Sequence, residues 1–168
     1  SSRGIMMTMV LEILTVEVIK INCVPDGNFA HDPEPLDKNL SELKKEVIVH
    51  NADLGIAVDP DVDRLVFVSE KGKTLGEENT LISCADYILS KESGPAVSNL
   101  SSSMGLRDVC AKYNVEYFSS KVGEINVVEK MKDVNAIIGG EGNGGIIYPE
   151  SHYGCLLYTS PSPRDFTE

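Results

Sequence analysis

The chain has 168 residues, and its 26 acidic and 15 basic side chains give a formal net charge of -11 at pH 7. A charge of that sign argues against the basic surface that nucleic acids and anionic membranes require. Because the net charge is negative, any phosphate that the chain binds needs a metal ion or a local concentration of basic groups. Hydrophobic residues make up 42% of the composition, which is typical of a globular protein with a sizeable core.

Apolar stretches and cysteines indicate the compartment. No apolar stretch approaches the roughly 20 residues that a membrane-spanning helix needs, since residues 5–14 are too few and include Glu12. The four cysteines are far apart and include no CxxC pair; they are Cys23, Cys84, Cys110 and Cys155. This spacing predicts scattered buried thiols in a reducing cytoplasm rather than a disulfide framework or a zinc site.

The first part of the chain predicts short elements. Residues 16–23 predict a strand. Apolar residues at three- or four-residue spacing predict a helix over residues 36–47, and Asp37 favours the positive end of that helix. Two apolar runs, 54–58 and 65–68, predict strands on either side of an acidic segment.

The second part of the chain alternates helices with strands. Its predicted helices are 77–91, 104–113 and 124–133, and its predicted strands are 96–100, 116–119 and 136–138. Strands that alternate with helices of about ten to fifteen residues indicate α/β layers with a largely parallel sheet. A turn within residues 71–76 precedes this series, so we expect a domain boundary there.

The acidic segment predicts a site for a divalent cation. Asp59, Asp61 and Asp63 stand at alternate positions, and Arg64 follows at once. Alternate residues of a straight strand are about 6.6 Å apart, whereas oxygens that share one Mg²⁺ each lie about 2.1 Å from it. The chain must therefore curl if the three carboxylates bind one ion. A solvated acidic turn, in which the carboxylates splay apart, is the alternative.

The same spacing fits the first positions of an EF-hand loop, with Glu70 at position twelve. The sixth position of such a loop requires glycine for a sharp turn, but this chain has Arg64 there. Residues 65–68 are rich in β-branched and aromatic side chains, which predicts a strand where an EF-hand has loop and helix. The EF-hand interpretation is therefore rejected.

A glycine-rich segment, residues 139–145, follows the last predicted strand and contains a formal GxGxxG match. A dinucleotide-binding fingerprint must open a helix, but the extended run 146–149 follows here and ends in proline. The segment presents Glu141 and Asn143, and a carboxylate beside an amide suits the hydroxyls of a sugar. A purely structural glycine turn is the alternative.

Three motifs together resemble one family. They are PDGNFAHDPEP, then DPDVDR, then GGEGNGG with IIYPE behind it. Over nearly all of residues 1–154 the chain resembles the α-D-phosphohexomutases, which include phosphoglucomutase, phosphomannomutase and phosphoglucosamine mutase. The resemblance implies two incomplete α/β layered domains, with mixed, mostly parallel sheets and flanking helices. Residues 1–73 would be the C-terminal part of the second family domain, and residues 74–154 the N-terminal part of the third.

The resemblance also implies roles for individual residues. The ligands of Mg²⁺ would be Asp59, Asp61 and Asp63. Arg64 would help to hold the phosphoryl group, and Lys121 would be a basic group near the reacting sugar. Glu141 and Asn143 would bind two hydroxyls of the hexose. Many members have serine at the position of Asn143, and some have histidine where this chain has Gly145.

Other departures concern catalysis and the chain ends. No serine stands in the family's active-serine setting, and the phosphate-binding loop of the fourth domain is missing. Residues 101–103 are three serines, but hydroxyl residues between a strand and a helix are usually helix caps. Residues 155–168 leave the family pattern and resemble a translated sequencing adapter. We therefore expect a non-native tail and a fragment that is itself inactive and poorly stable.

The predicted function of the parent protein is that of a Mg²⁺-dependent phosphohexomutase. By the resemblance, it would interconvert hexose 1- and 6-phosphates through a phosphoserine and a sugar bisphosphate, and its partner would be a phosphorylated hexose, not a nucleic acid or a membrane. A non-catalytic module that binds metal or sugar phosphate is the alternative. A metal-dependent phosphatase would need an aspartate nucleophile in a DxDxT/V setting, whereas Arg64 follows Asp63 here.

Overall fold

The computed structural model describes residues 9, 11–24, 32, 34–59 and 64–151. The chain divides into two units, Ser1–Glu77 and Glu78–Glu168. Each described unit has helices packed on a sheet, which confirms the predicted α/β class.

In the first unit, one helix packs on an antiparallel strand pair. A single 3-10 turn, Asp37–Asn39, leads into helix α1, Ser41–Val49. Strands β1, Leu54–Val58, and β2, Leu65–Ser69, pair antiparallel from Leu54 opposite Ser69 to Val58 opposite Leu65. The buried core of this unit consists of Leu40, Val47, Val66 and Val68. Alternate residues of β2 are buried because one face of the hairpin packs against the helix side of the unit.

The strand predicted over residues 16–23 was wrong. No strand is present over the described residues 16–24, and the side chains of Val16 and Ile19 are 49% and 44% exposed. Asn22 has a positive φ of 50°, which bends the backbone away from an extended path. An alternating apolar pattern forms a strand only where a neighbouring strand completes its hydrogen bonds, and no described strand pairs with this segment.

The second unit contains three helices and a four-stranded sheet. Its helices are α2 (Glu77–Leu89), α3 (Gly105–Tyr113) and α4 (Glu124–Val134). Glu77, the first residue of α2, is the last residue of the first unit. Its strands are β3, Ala96–Asn99, β4, Tyr117–Ser120, β5, Ile138–Gly140, and β6, Ile146–Ile147. The strand order is β4-β3-β5-β6, and β3 is parallel to both β4 and β5, whereas β6 is antiparallel to β5. The predicted helices and strands of this unit are confirmed, with shifts of one or two residues at most ends.

Both faces of the four-stranded sheet are covered. On one face, α2 and α3 form a core cluster that includes Leu81, Leu106 and Ala96. On the other, α4 contributes Met131 to a second cluster that includes Val97. All four residues of β3 are buried, as expected for a central parallel strand between two helical layers.

The thiols follow the prediction only in part. Among the described cysteines none forms a disulfide: Cys110 is buried, Cys84 is half-buried, and Cys23 is exposed, contrary to the expectation of a buried thiol. Burial raises the pKa of the Cys110 thiol to about 11, so it stays protonated and unreactive at neutral pH. Cys155 lies outside the described residues. Among the described helices, none combines the length and the apolar composition needed to cross a membrane.

Gly139 lies at a close approach between β5 and both of the layers that flank it. A β-carbon at this position would lie 2.8 Å from the Val97 carbonyl oxygen and 2.5 Å from Sδ of Met131. We expect Gly139→Ala to lower the free energy of unfolding by about 1–3 kcal/mol, because β3, β5 or α4 must shift. Urea denaturation measures this, with Ser119→Ala, an exposed change on β4, as the control. Equal stability of the two variants would contradict the close approach.

Candidate functional site

Three parallel strands end at the same edge of the second sheet. Asn99 ends β3 and lies opposite Ser120, which ends β4, while Gly140 at the end of β5 lies opposite Ser98. The segments that follow these strands therefore meet at one edge. In open α/β sheets, ligands bind outside the carboxyl ends of the strands. We name this region the sheet-edge site; it comprises Glu78, Asn99 and residues 101–103, 121–123 and 141–145.

Residues 141–145, the glycine loop, form a tight hairpin between β5 and β6. The Glu141 backbone N–H donates to the Gly145 carbonyl at 3.0 Å, and the Gly145 N–H donates to Oδ1 of Asn143 at 3.1 Å. The chain then returns antiparallel along β5 and opens no helix. The rejection of a dinucleotide fingerprint is confirmed, because this hairpin offers no helix N-terminus to a pyrophosphate.

The Glu141 carboxylate is fixed by two donors. Its Oε1 atom accepts a hydrogen bond from Nδ2 of Asn99 at 2.5 Å and another from the backbone N–H of Gly123 at 3.0 Å. Its Oε2 atom makes no hydrogen bond with the part of the chain that the structure describes. The side chain is half-buried. Glu141 therefore uses one carboxylate oxygen, Oε1, for contacts within the protein.

Asn99 is the buried centre of the site. Its side chain is 2% exposed, and its Oδ1 atom accepts hydrogen bonds from the Ser101 hydroxyl at 3.0 Å, the Ser102 hydroxyl at 2.7 Å and the Ser102 N–H at 3.0 Å. The Ser103 hydroxyl accepts from the N–H of Gly105, the first residue of α3, at 3.3 Å. Ser101 and Ser102 thus fold the turn onto Asn99 instead of capping the helix.

Glu78, in the first turn of α2, lies next to Ser103 and to Gly142 of the glycine loop. Its Oε1 atom accepts from the Ser103 N–H at 3.2 Å. A β-carbon on Gly142 would lie 3.0 Å from that same oxygen and 3.2 Å from Cα of Ser102, so a side chain there would require these neighbours to shift by a few tenths of an ångström. Neither Glu78 nor Asn99 was predicted from the sequence. The position of Asn99 at the carboxyl end of a buried strand was the available signal.

Lys121 and Asn143 complete the predicted second-unit residues. Lys121 is exposed, follows β4 directly, and its carbonyl accepts from the Ser120 hydroxyl at 2.9 Å. Its loop is placed beside Glu141 by the Gly123 hydrogen bond. Asn143 is half-buried, and its Nδ2 makes no hydrogen bond to any residue in the described ranges. The structure thus brings the loops of Lys121, Glu141 and Asn143 to one edge.

The first unit shows only the base of the acidic segment. The Asp59 N–H donates to the Arg64 carbonyl at 3.4 Å, and the Arg64 N–H donates to Oδ1 of Asp59 at 3.2 Å, which extends the β1–β2 hairpin by one step. Asp59 is 7% exposed. The Arg64 guanidinium lies 3.3 Å from Oε1 of Glu34 and 3.9 Å from Oδ2 of Asp59.

Two of the three predicted metal ligands, Asp61 and Asp63, lie outside the described residues. Among the residues that are described, no group of three His, Cys, Asp or Glu side chains is placed to hold a metal ion. The strand β2 begins directly after Arg64, which confirms that the segment is not an EF-hand. The metal assignment stays a prediction.

Comparison with known families identifies the class of protein. Residues 2–72 match the family model described as phosphoglucomutase/phosphomannomutase, alpha/beta/alpha domain II. Residues 76–156 match the model described as alpha/beta/alpha domain III of the same family. The chain therefore belongs to the phosphoglucomutase/phosphomannomutase family, and the resemblance of its motifs to phosphohexomutases is confirmed.

Individual relatives agree. The chain is 38% identical over 146 residues to a protein of Methanopyrus kandleri named "Probable phosphoglucosamine mutase", covering 86% of this chain and 32% of that protein. It is 35% identical over 142 residues to a "Phosphoglucomutase/phosphomannomutase" of Thermococcus kodakarensis, covering 83% of this chain and 31% of that protein. The chain spans about a third of the length of these relatives.

A solved structure supports the fold. The crystal structure of a phosphoglucomutase/phosphomannomutase family protein from Burkholderia thailandensis superimposes with a TM-score of 0.82 at 25% sequence identity. The match covers 90% of this chain and 34% of that one. The α/β architecture is therefore that of the family.

Proposed function

We propose that this chain supplies the metal loop and the sugar-binding loop of a phosphohexomutase, which moves a phosphoryl group between the 1- and 6-positions of a hexose. Family membership and the names of the relatives support this class of reaction. The observation that carries the proposal is the fixed Glu141 carboxylate at the carboxyl edge of the sheet.

The chemistry of the sheet-edge site fits a sugar. Oε2 of Glu141 accepts hydrogen bonds, and Nδ2 of Asn143 donates them, so the pair can bind two hydroxyls of opposite polarity. The glycine loop brings backbone close to the ligand, and a side chain at Gly142 would crowd Glu78 and Ser102. Lys121 adds a positive charge that attracts the phosphate of the substrate in an otherwise acidic chain.

The acidic segment fits a hard cation. We propose that Asp59, Asp61 and Asp63 hold Mg²⁺, since carboxylate oxygens are the ligands this ion prefers. The buried Asp59 has Oδ1 oriented by the Arg64 N–H, which fixes one end of the segment. A bound Mg²⁺ supplies positive charge next to the phosphoryl group. Arg64 is proposed to hold that group, exchanging its contact with Glu34 for one with phosphate oxygens.

In this proposal, the reaction consists of two phosphoryl transfers in opposite directions. A phosphoserine gives its phosphoryl group to the free hydroxyl of a hexose monophosphate and forms a bisphosphate. The sugar turns over, and the serine takes the other phosphoryl group back. The residues of this chain position the sugar and stabilise charge, which is how most of the acceleration of phosphoryl transfer arises.

We propose a phosphate of glucosamine, mannose or glucose as the substrate, since the relatives are named for mutases of these three sugars. A cytoplasmic location belongs to the same proposal and rests on the free thiols of Cys84 and Cys110. A turnover assay of the complete protein, primed with a catalytic sugar bisphosphate, tests the function. Binding of the sugar phosphate without any turnover would instead identify a non-catalytic module.

Replacement of Glu141 tests the sugar contact. We expect Glu141→Ala to lower kcat/KM by up to about 10⁴-fold, because the site loses its fixed acceptor for a hydroxyl. The cost in unfolding free energy is expected to be about 1–3 kcal/mol, since the Asn99 amide loses its partner. Steady-state kinetics and thermal unfolding measure the two effects, with the exposed change Glu129→Ala on α4 as control. A loss of activity no larger than the loss of folded protein would favour a structural turn.

Replacement of Asp61 tests the metal loop. We expect Asp61→Asn in the complete enzyme to weaken Mg²⁺ binding and to lower turnover together, because one of about three protein ligands loses its charge. Turnover measured against Mg²⁺ concentration gives both quantities. Asp53→Asn, an exposed change just before β1, is the matched control. If the Mg²⁺ dependence of Asp61→Asn equals that of the control, the metal assignment is wrong.

A further inference from the structure

We infer that Asn99 is a positioning residue for the sugar: it fixes the Glu141 carboxylate and so sets which oxygen binds a hydroxyl. This inference rests on the proposed role of Glu141. Asn99 itself is 2% exposed and is held inside the protein, so its effect on a ligand passes through Glu141.

The orientation of the Asn99 amide follows from its neighbours. The Ser102 N–H can only donate, and it lies 3.0 Å from Oδ1 of Asn99. A carboxylate can only accept, and Oε1 of Glu141 lies 2.5 Å from Nδ2 of Asn99. The two amide atoms therefore cannot be exchanged without breaking hydrogen bonds on both sides. The amide is locked with its donor towards Glu141.

The two donors on Glu141 act on the same oxygen. Oε1 receives the Asn99 amide and the Gly123 N–H, and bonds of this kind to a charged carboxylate are stronger than neutral ones. The pair of contacts restrains rotation of the carboxylate about its terminal bond. A ligand hydroxyl therefore meets Oε2 in one arrangement, without paying to order the side chain.

Asn99 also links, directly or through Glu141, three segments that are distant from one another in sequence. Its Oδ1 binds the turn of Ser101 and Ser102, while its Nδ2 binds the glycine loop through Glu141. The same Glu141 oxygen binds the loop after β4 through Gly123. A change at Asn99 is thus expected to alter the sugar contact at Glu141 as well as the local turn.

Asn99→Asp is the sharpest test, performed in the complete mutase that carries this chain. Aspartate keeps the size of asparagine and an oxygen for the Ser101 and Ser102 donors, but it places a second carboxylate against Glu141 and removes the donor. The assay compares kcat/KM for a hexose 1-phosphate with kcat/KM for its monodeoxy analogues. Among the analogues that keep the 6-hydroxyl, which accepts the phosphoryl group, the one that wild-type enzyme rejects most strongly marks the hydroxyl bound by Glu141.

The expected result is a fall of about 10²-fold in kcat/KM for the full hexose, as for a misplaced binding group. The rejected analogue is expected to lose much less, so that the discrimination between the two substrates collapses towards that of Glu141→Ala. Added to Glu141→Ala, the Asn99→Asp change is expected to have no further effect on discrimination. Asn114→Asp, the same chemical change at the exposed end of α3, is expected to leave the ratio as in wild type.

Other outcomes overturn the inference. If Asn99→Asp lowers kcat/KM equally for both substrates while Glu141→Ala abolishes discrimination, Asn99 is only structural, and the proposed function stands. If Glu141→Ala leaves discrimination intact, the proposed sugar contact of Glu141 falls together with the Asn99 inference, whereas turnover of the hexose phosphate would still support the mutase reaction. Asn99→Ser, which removes the amide donor without adding charge, gives the same comparison where Asn99→Asp yields no folded enzyme.

Discussion

The parallel pairing of β3 with both of its neighbours is the constraint on which the site depends. All four residues of β3 are buried, with Ala96 and Val97 contributing to the cores on opposite faces of the sheet. Because the three strands run in one direction, their carboxyl ends lie at one edge. Asn99, the loop of Lys121, and Glu141 meet there, although Asn99 and Glu141 are 42 positions apart in sequence.

At that edge, the protein satisfies its polar groups in a way that leaves defined atoms for a ligand. Asn99 is buried, and both ends of its amide are hydrogen-bonded, as a buried polar group must be. Glu141 uses one oxygen within the protein. Asn143 uses its Oδ1 to close the glycine loop and keeps its amide nitrogen for donation. An acceptor and a donor therefore lie on one hairpin, as the proposed contact with two hydroxyls of a hexose requires.

The sequence predicted the layers well, because apolar periodicity and breakers are local properties: α2 to α4 and β3 to β5 lie within two residues of their predicted ends in most cases. It failed for residues 16–23, where strand formation depends on a partner. The Asn99–Glu141 contact could not be predicted from local sequence patterns, since the strand order that creates it is a tertiary property. Glu141 and Asn143 were predicted from the chemistry of the glycine-rich segment and from the family resemblance, and their sugar contacts stay predictions. The roles of Asp61 and Asp63 stay predictions from the alternate spacing of the carboxylates and from the same resemblance.

The most direct measurement is a crystal structure of the complete protein with a bound hexose 1-phosphate. We expect Oε2 of Glu141 and Nδ2 of Asn143 to lie within about 2.7–3.1 Å of two different sugar hydroxyls, while Oε1 of Glu141 keeps its hydrogen bonds to Asn99 and Gly123. A sugar that is bound without contact to the glycine loop, or a Glu141 carboxylate that turns away from Asn99 to reach it, would show that the proposed sugar contact is wrong.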